Sequence, residues 1–124
     1  MDAITWMMLV AALLPIVAAV LAKAGGEGYD NDDPRPWLAR QQGWRARANA
    51  AQTNLFEGLP FFYAAVLYAL YAHADLARLG LLMLAWLLLR VAHLALYIAG
   101  RGSLRSLAWT LSLAVNIAIL FAAA

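Results

Sequence analysis

Glu57, Arg90, His93 and Arg105 are ionisable side chains set inside runs that are otherwise apolar. A charge at the centre of a membrane helix costs roughly 2.5 to 3.5 kcal/mol on insertion scales, so such groups need partners or a water-filled cavity. Their spacing gathers them. Arg90, His93 and Tyr97 recur at i, i+3 and i+7, which is one stripe of a helix, and Arg101 extends the line where that helix continues. Arg47, Asn54 and Glu57 stand at i, i+7 and i+10, on one side of a preceding helix. Two such stripes on adjacent helices meet as a polar pocket.

The chemistry of that pocket is mostly cationic. Guanidiniums pair bidentately with carboxylates, and the single carboxylate of Glu57 suits an ammonium group. A ligand with two carboxylates and an amine complements the set. Glutathione is such a molecule, and it carries the thiol that a chain with no cysteine lacks; another small zwitterion fits the same groups. The missing cysteine also excludes disulfides, thiolate metal sites and a cysteine nucleophile. His93 has no second ligand at i+3 or i+4, so a metal is not expected there. Simpler readings stand beside these: Glu57 and Arg90 as an ion pair locking two helices, His93 as an interhelical hydrogen-bond donor, and Tyr97 and Trp109 as belt aromatics at the membrane interface.

The elements that position these residues follow from hydropathy. The chain has 124 residues, 65% hydrophobic and only 13% charged, with a mean hydropathy of +0.71. A soluble domain carries roughly 25% charged residues, so lipid is the natural solvent. The length allows one domain. No basic tract interleaves with exposed aromatics, which argues against nucleic acid. The fold expected is all-α: an integral membrane four-helix bundle with spans at about 4–22, 43–72, 78–99 and 105–123, each matching a hydrocarbon core of about 30 Å. The first span competes with a signal peptide, against which stand Asp2 in place of a positive cluster and the length of the run. Pro15 is expected to kink it. A polar loop covers 23–42, where Pro34 and Pro36 are expected to forbid a regular helix. Its acids Glu27, Asp30, Asp32 and Asp33 lack EF-hand spacing and read as a solvated loop. Gly58 and Pro60 mark a bend in the second span.

Basic residues set the orientation. Lys23, Arg35, Arg40, Arg45 and Arg47 flank the first loop, Arg101 and Arg105 the third, and only Arg78 the second. Loops one and three are expected on the cytoplasmic side and both termini across the membrane, the inner or plasma membrane in a bacterial host.

Two motifs carry a resemblance. Arg47 followed by Asn54-Leu55-Phe56-Glu57-Gly58-Leu59-Pro60-Phe61 resembles the second-helix signature of the MAPEG family, the membrane-associated proteins in eicosanoid and glutathione metabolism. Arg90-Val91-Ala92-His93, then Tyr97, Arg101 and Arg105-Ser106, is similar to helices three and four of its microsomal prostaglandin E synthase branch, with a turn one residue shorter. The resemblance spans nearly the whole chain. It implies a homotrimer in the lipid bilayer, with glutathione held between subunits near the cytoplasmic side. By position, Asn54 and Glu57 would hold the glutathione backbone and amine. Arg47, Arg90, His93, Tyr97, Arg101 and Trp109 would complete the binding site, and Arg105 with Ser106 would stabilise the thiolate for attack on a small hydrophobic electrophile. The chain departs from the pattern at Ala50, where many relatives carry arginine, and at Trp109, where the synthase has tyrosine.

The function expected is therefore a glutathione-dependent transferase or peroxidase. A lipid-binding or scaffolding member without turnover is the alternative. A small multidrug exporter is a third, disfavoured because no ionisable residue lies between Asp2 and Lys23.

Overall fold

The computed structural model describes residues 1–124 and is entirely helical: α1 (Asp2–Lys23), α2 (Pro34–Ala39), α3 (Trp44–Glu57), α4 (Leu59–Tyr71), α5 (Leu76–Ile98) and α6 (Gly102–Leu120). Three of these, α1, α5 and α6, are long and apolar enough to cross a membrane. Their outer faces expose large apolar side chains such as Trp6, Val20, Leu81, Leu88 and Leu107. Such continuous apolar cladding is stable only in hydrocarbon. This is a membrane protein.

The helices pack side by side, α1 along α3 and α5, α5 along α6, and α4 against α6. Alanines at the contacts allow close approach: Ala11, Ala18, Ala51, Ala65 and Ala69 are all buried. Leu55, Phe62, Val66, Leu79, Met83 and Ile119 fill the remaining interior, with Phe62 stacked on Trp86 at a centroid distance of 3.8 Å. The Tyr63 hydroxyl donates to the Met8 carbonyl at 2.6 Å, tying α4 to α1. The first helix continues through the buried Pro15.

The segment 43–72 divides at Gly58. Gly58 N–H still donates to the Asn54 carbonyl at 3.1 Å, but Pro60 has no N–H to offer the carbonyl of Phe56, and its ring crowds that turn. The division separates α3, which is polar and carries Arg47, Asn54 and Glu57, from the apolar α4.

The loop 23–42 is not wholly irregular. Pro34 and Pro36 open α2 instead of forbidding it, because N–H groups in a first helical turn have no intrahelical partner to lose. Trp37 and Leu38 from this short helix are buried against Ala22 and Ala48. The Trp37 indole donates to the Glu27 carbonyl at 3.0 Å, and a Cβ at Gly26 would run into its ring. The four acids of the loop remain exposed.

Two tight connections set the axial positions of α5 and α6. His73 takes a left-handed φ of 62° and Ala74 N–H returns to the Ala69 carbonyl at 2.9 Å, closing α4 in a Schellman-type turn. Asp75 then caps α5 by accepting from Arg78 N–H at 2.9 Å. At the other end Gly100, with φ of 75°, ends α5. Arg101 therefore leaves the stripe of Arg90, His93 and Tyr97, which it would extend only in a continuing helix, and becomes the N-cap of α6. The last helix begins at Gly102, so Arg105 and Ser106 are already one turn inside it.

Candidate functional site

The site begins with Arg90, midway along α5 and only 2% exposed. Its Nη2 donates to the backbone carbonyl and to the Oδ1 of Asn54, both at 3.0 Å. Its guanidinium also lies 5.7 Å from the Trp86 ring. Gly58 permits this seat, since a Cβ there would stand 3.0 Å from Nη2. The alternative ion pair between Glu57 and Arg90 gives way to this pairing with Asn54, and the Glu57 side chain is exposed at the end of α3.

One turn further along α5, His93 is 2% exposed and neither ring nitrogen has a hydrogen-bond partner. Its ring meets Tyr97 edge-on at 5.6 Å. From α6, the Arg105 guanidinium lies over the Tyr97 ring, 4.4 Å from its centroid. A guanidinium over an aromatic face keeps its in-plane N–H groups available for a ligand.

These side chains line a groove of three adjoining cavities. The widest, about 440 Å³, is walled by Asn54, His93, Tyr97, Arg105, Ser106, Trp109 and Thr110. Asn54 and Trp109 are shared with a second, about 200 Å³, which adds Glu57, Gly58, Phe61, Trp86, Arg90, Ser112, Leu113 and Asn116. Tyr97 and Arg105 are shared with a third of about 100 Å³ at the end of α5, where Arg47 and Arg101 approach. All ten candidate residues, seven gathered by spacing and Arg105, Ser106 and Trp109 through the resemblance, therefore lie on one groove, though not equally. Arg47 is engaged elsewhere, its Nε donating to the Ile98 carbonyl at 3.0 Å, where it caps the C-terminus of α5. Arg101 is exposed at the rim.

The structure adds residues that spacing on α5 alone did not suggest. Ser112 and Asn116 are 3% and 4% exposed and continue the line Arg105, Trp109 down α6 at i, i+4, i+7 and i+11. That polar stripe in an apolar helix was the available signal. Ser112 donates to the Trp109 carbonyl at 2.7 Å, whereas Asn116 Oδ1 is buried without a partner.

Buried groups with open hydrogen-bonding positions are the mark of a site built for a polar ligand. Here they are Arg90 Nε, both nitrogens of His93, and Asn116 Oδ1. With a neutral imidazole these are two donors and two acceptors, the Arg105 guanidinium adds further donors, and Glu57 supplies a carboxylate on the same groove. The arrangement fits a small ligand with carboxylate and amine groups.

Searches with the whole chain found no matching curated protein and no matching solved structure. The sequence model of the MAPEG family matches residues 3–124. With a membrane-embedded helical fold and a match across almost its whole length, the chain belongs to the MAPEG family.

Proposed function

We propose that this protein is a glutathione-dependent membrane enzyme of the transferase or peroxidase type, acting on hydrophobic, lipid-borne electrophiles. The observation that carries the reading is the convergence of Asn54, His93, Tyr97, Arg105 and Ser106 on one cavity in a family that includes glutathione-dependent transferases. The open N–H of His93 and the guanidinium of Arg105 suit the carboxylates and peptide oxygens of glutathione, and Glu57 suits its amine. Glutathione supplies, when bound, the nucleophilic sulfur that this cysteine-free chain lacks.

The protein's own part is electrostatic. Arg105 places a fixed positive charge on the cavity wall, which favours the anionic form of a neighbouring thiol. The Ser106 hydroxyl, beside it on α6, adds a hydrogen-bond donor. Trp109 and Phe61, both exposed on the rim of the groove, form an apolar margin across which a lipid substrate enters.

The α3–α4 pair makes a fourth crossing, loops 23–42 and 99–101 face the cytoplasm, and the termini lie opposite. The groove is open on the side carrying Glu57, Ser106 and Trp109, and a neighbouring copy in a homotrimer closes it. In motif the chain is similar to the prostaglandin E synthase branch, through Arg90, His93, Tyr97, Arg105 and Ser106.

Calorimetry on detergent-solubilised protein tests the proposal. Glutathione is expected to bind at millimolar levels or tighter, and a generic aromatic halide to be conjugated. Absence of binding heat from a stable, folded preparation would overturn it.

A further inference from the structure

The inner cavity of about 200 Å³ holds polar groups that the proposed thiol site does not use. Asn116 is 4% exposed and its Oδ1 is an unpartnered acceptor. Arg90, on the facing helix, is 2% exposed and its Nε–H is an unpartnered donor. An amide and a guanidinium left open at membrane depth are costly, because no water from the bilayer can satisfy them. Asn116 also lies roughly 16 Å further along the axis of α6 than Arg105, at about 1.5 Å per residue. That depth separates it from the groove mouth where Arg101 and Arg105 stand, and brings it within reach of an acyl chain entering from lipid.

We propose that Asn116 and Arg90 form a subsite for a hydroxyl-type O–H group on the hydrophobic second substrate, with Asn116 as the specificity-determining residue. The hydrogen-bonding pattern selects the group. One oxygen bearing a hydrogen donates to Asn116 Oδ1 and accepts from Arg90 Nε–H; a ketone only accepts. A carboxylate cannot donate and meets Glu57 on the same wall. A bare methylene chain leaves both protein groups unpaired, the arrangement that gives the strongest discrimination against an analogue lacking the polar group. The stacked Trp86 and the indole of Trp109 supply flat apolar walls for the flanking chain. The inference rests on the proposed function only in identifying this ligand as the second substrate; the binding itself is independent of it.

The test uses the full-length protein in detergent and three probes: methyl hydroxystearate, methyl ketostearate and methyl stearate. The hydroxy ester is expected to bind roughly ten-fold tighter than methyl stearate, with the keto ester intermediate. In Asn116→Leu the hydroxyl preference is expected to vanish while glutathione binding and Tm are retained, which shows that the variant is folded. Asn116→Gln, which keeps the amide but displaces it, is expected to lose most of the preference and covers the case in which the leucine variant does not fold. Equal binding of the three esters by the wild type, or a preference surviving in both variants, would overturn the subsite. Equal affinity for the hydroxy and keto esters would also overturn it, by removing the bond donated to Asn116. Glutathione binding without hydroxyl preference sinks this inference alone; hydroxyl preference without glutathione binding sinks the proposed function alone.

Discussion

Arg90 on α5 and Asn54 on α3 are joined twice, through one guanidinium nitrogen that reaches both the carbonyl and the side-chain oxygen of the same residue at 3.0 Å. The contact does two jobs. It partners a cation that the apolar interior would otherwise reject, and it fixes the register of the polar helix against the long one. Because Asn54 is also a wall of both larger cavities, the shape of the groove depends on this one junction.

Asn54→Leu removes the side-chain half of the junction and leaves a buried guanidinium under-bonded. A hydrogen bond to a charged group is worth about 1.5 to 3 kcal/mol, and thermal unfolding in detergent should show a loss of about that size. The double variant Asn54→Leu with Arg90→Met should recover much of it, since no buried charge then remains. A double variant no more stable than the single one would show that the junction is not what holds these helices.

Gly58→Ala probes the same seat from the opposite side. The added methyl would approach Nη2 of Arg90 to 3.0 Å and Cζ to 3.4 Å, and the two bonds to Asn54 limit how far the guanidinium retreats. Alanine also gains roughly 1 kcal/mol of helical preference over glycine, which offsets the crowding. Tm is therefore expected to change little while glutathione affinity falls several-fold. An unchanged affinity by calorimetry would mean that Arg90 moves without consequence.

Arg105 carries the pH dependence. Its charge favours the thiolate, so its removal moves the ionisation of the bound thiol to higher pH, and the thiolate fraction at neutral pH falls about ten-fold per unit of displacement. Arg105→Ala should lose roughly ten-fold or more in conjugation rate at neutral pH and regain much of it in alkaline buffer. Arg105→Lys should keep the charge effect but weaken ligand binding, because an ammonium lacks the planar fork of donors that the guanidinium holds over Tyr97 at 4.4 Å. A rate deficit of equal size at every pH would refute the electrostatic role.

Asp75→Ala serves as a structural contrast. The lost cap on Arg78 N–H should cost about 1 kcal/mol in thermal unfolding. Asp75 lies at the end of α5 far from Arg90, so glutathione affinity should be unchanged. A drop in affinity would show that the start of α5 is coupled to the groove.

The apolar runs around Ile4–Ala22, Leu79–Ala99 and Arg105–Ala124 made a membrane protein legible without coordinates, because hydrocarbon thickness sets how many apolar residues a crossing needs. The i, i+3, i+7 spacing of Arg90, His93 and Tyr97 likewise required a shared face, since helical geometry admits no other arrangement. Pairing between helices was another matter. Nothing local told whether Arg90 would meet Glu57 or Asn54; that depended on how α3 and α5 slide past each other, which the buried alanines and the Gly58–Pro60 break decide. The helical turn opened by Pro34 was concealed for a similar reason, as proline breaks a helix or begins one according to its position. Asn116 had no marked partner in the sequence, and only the packing of α6 against α5 brought its open oxygen to the same cavity as Arg90. Periodicity dictates which way a side chain points along its own helix, whereas what it meets there is a property of the assembled interior.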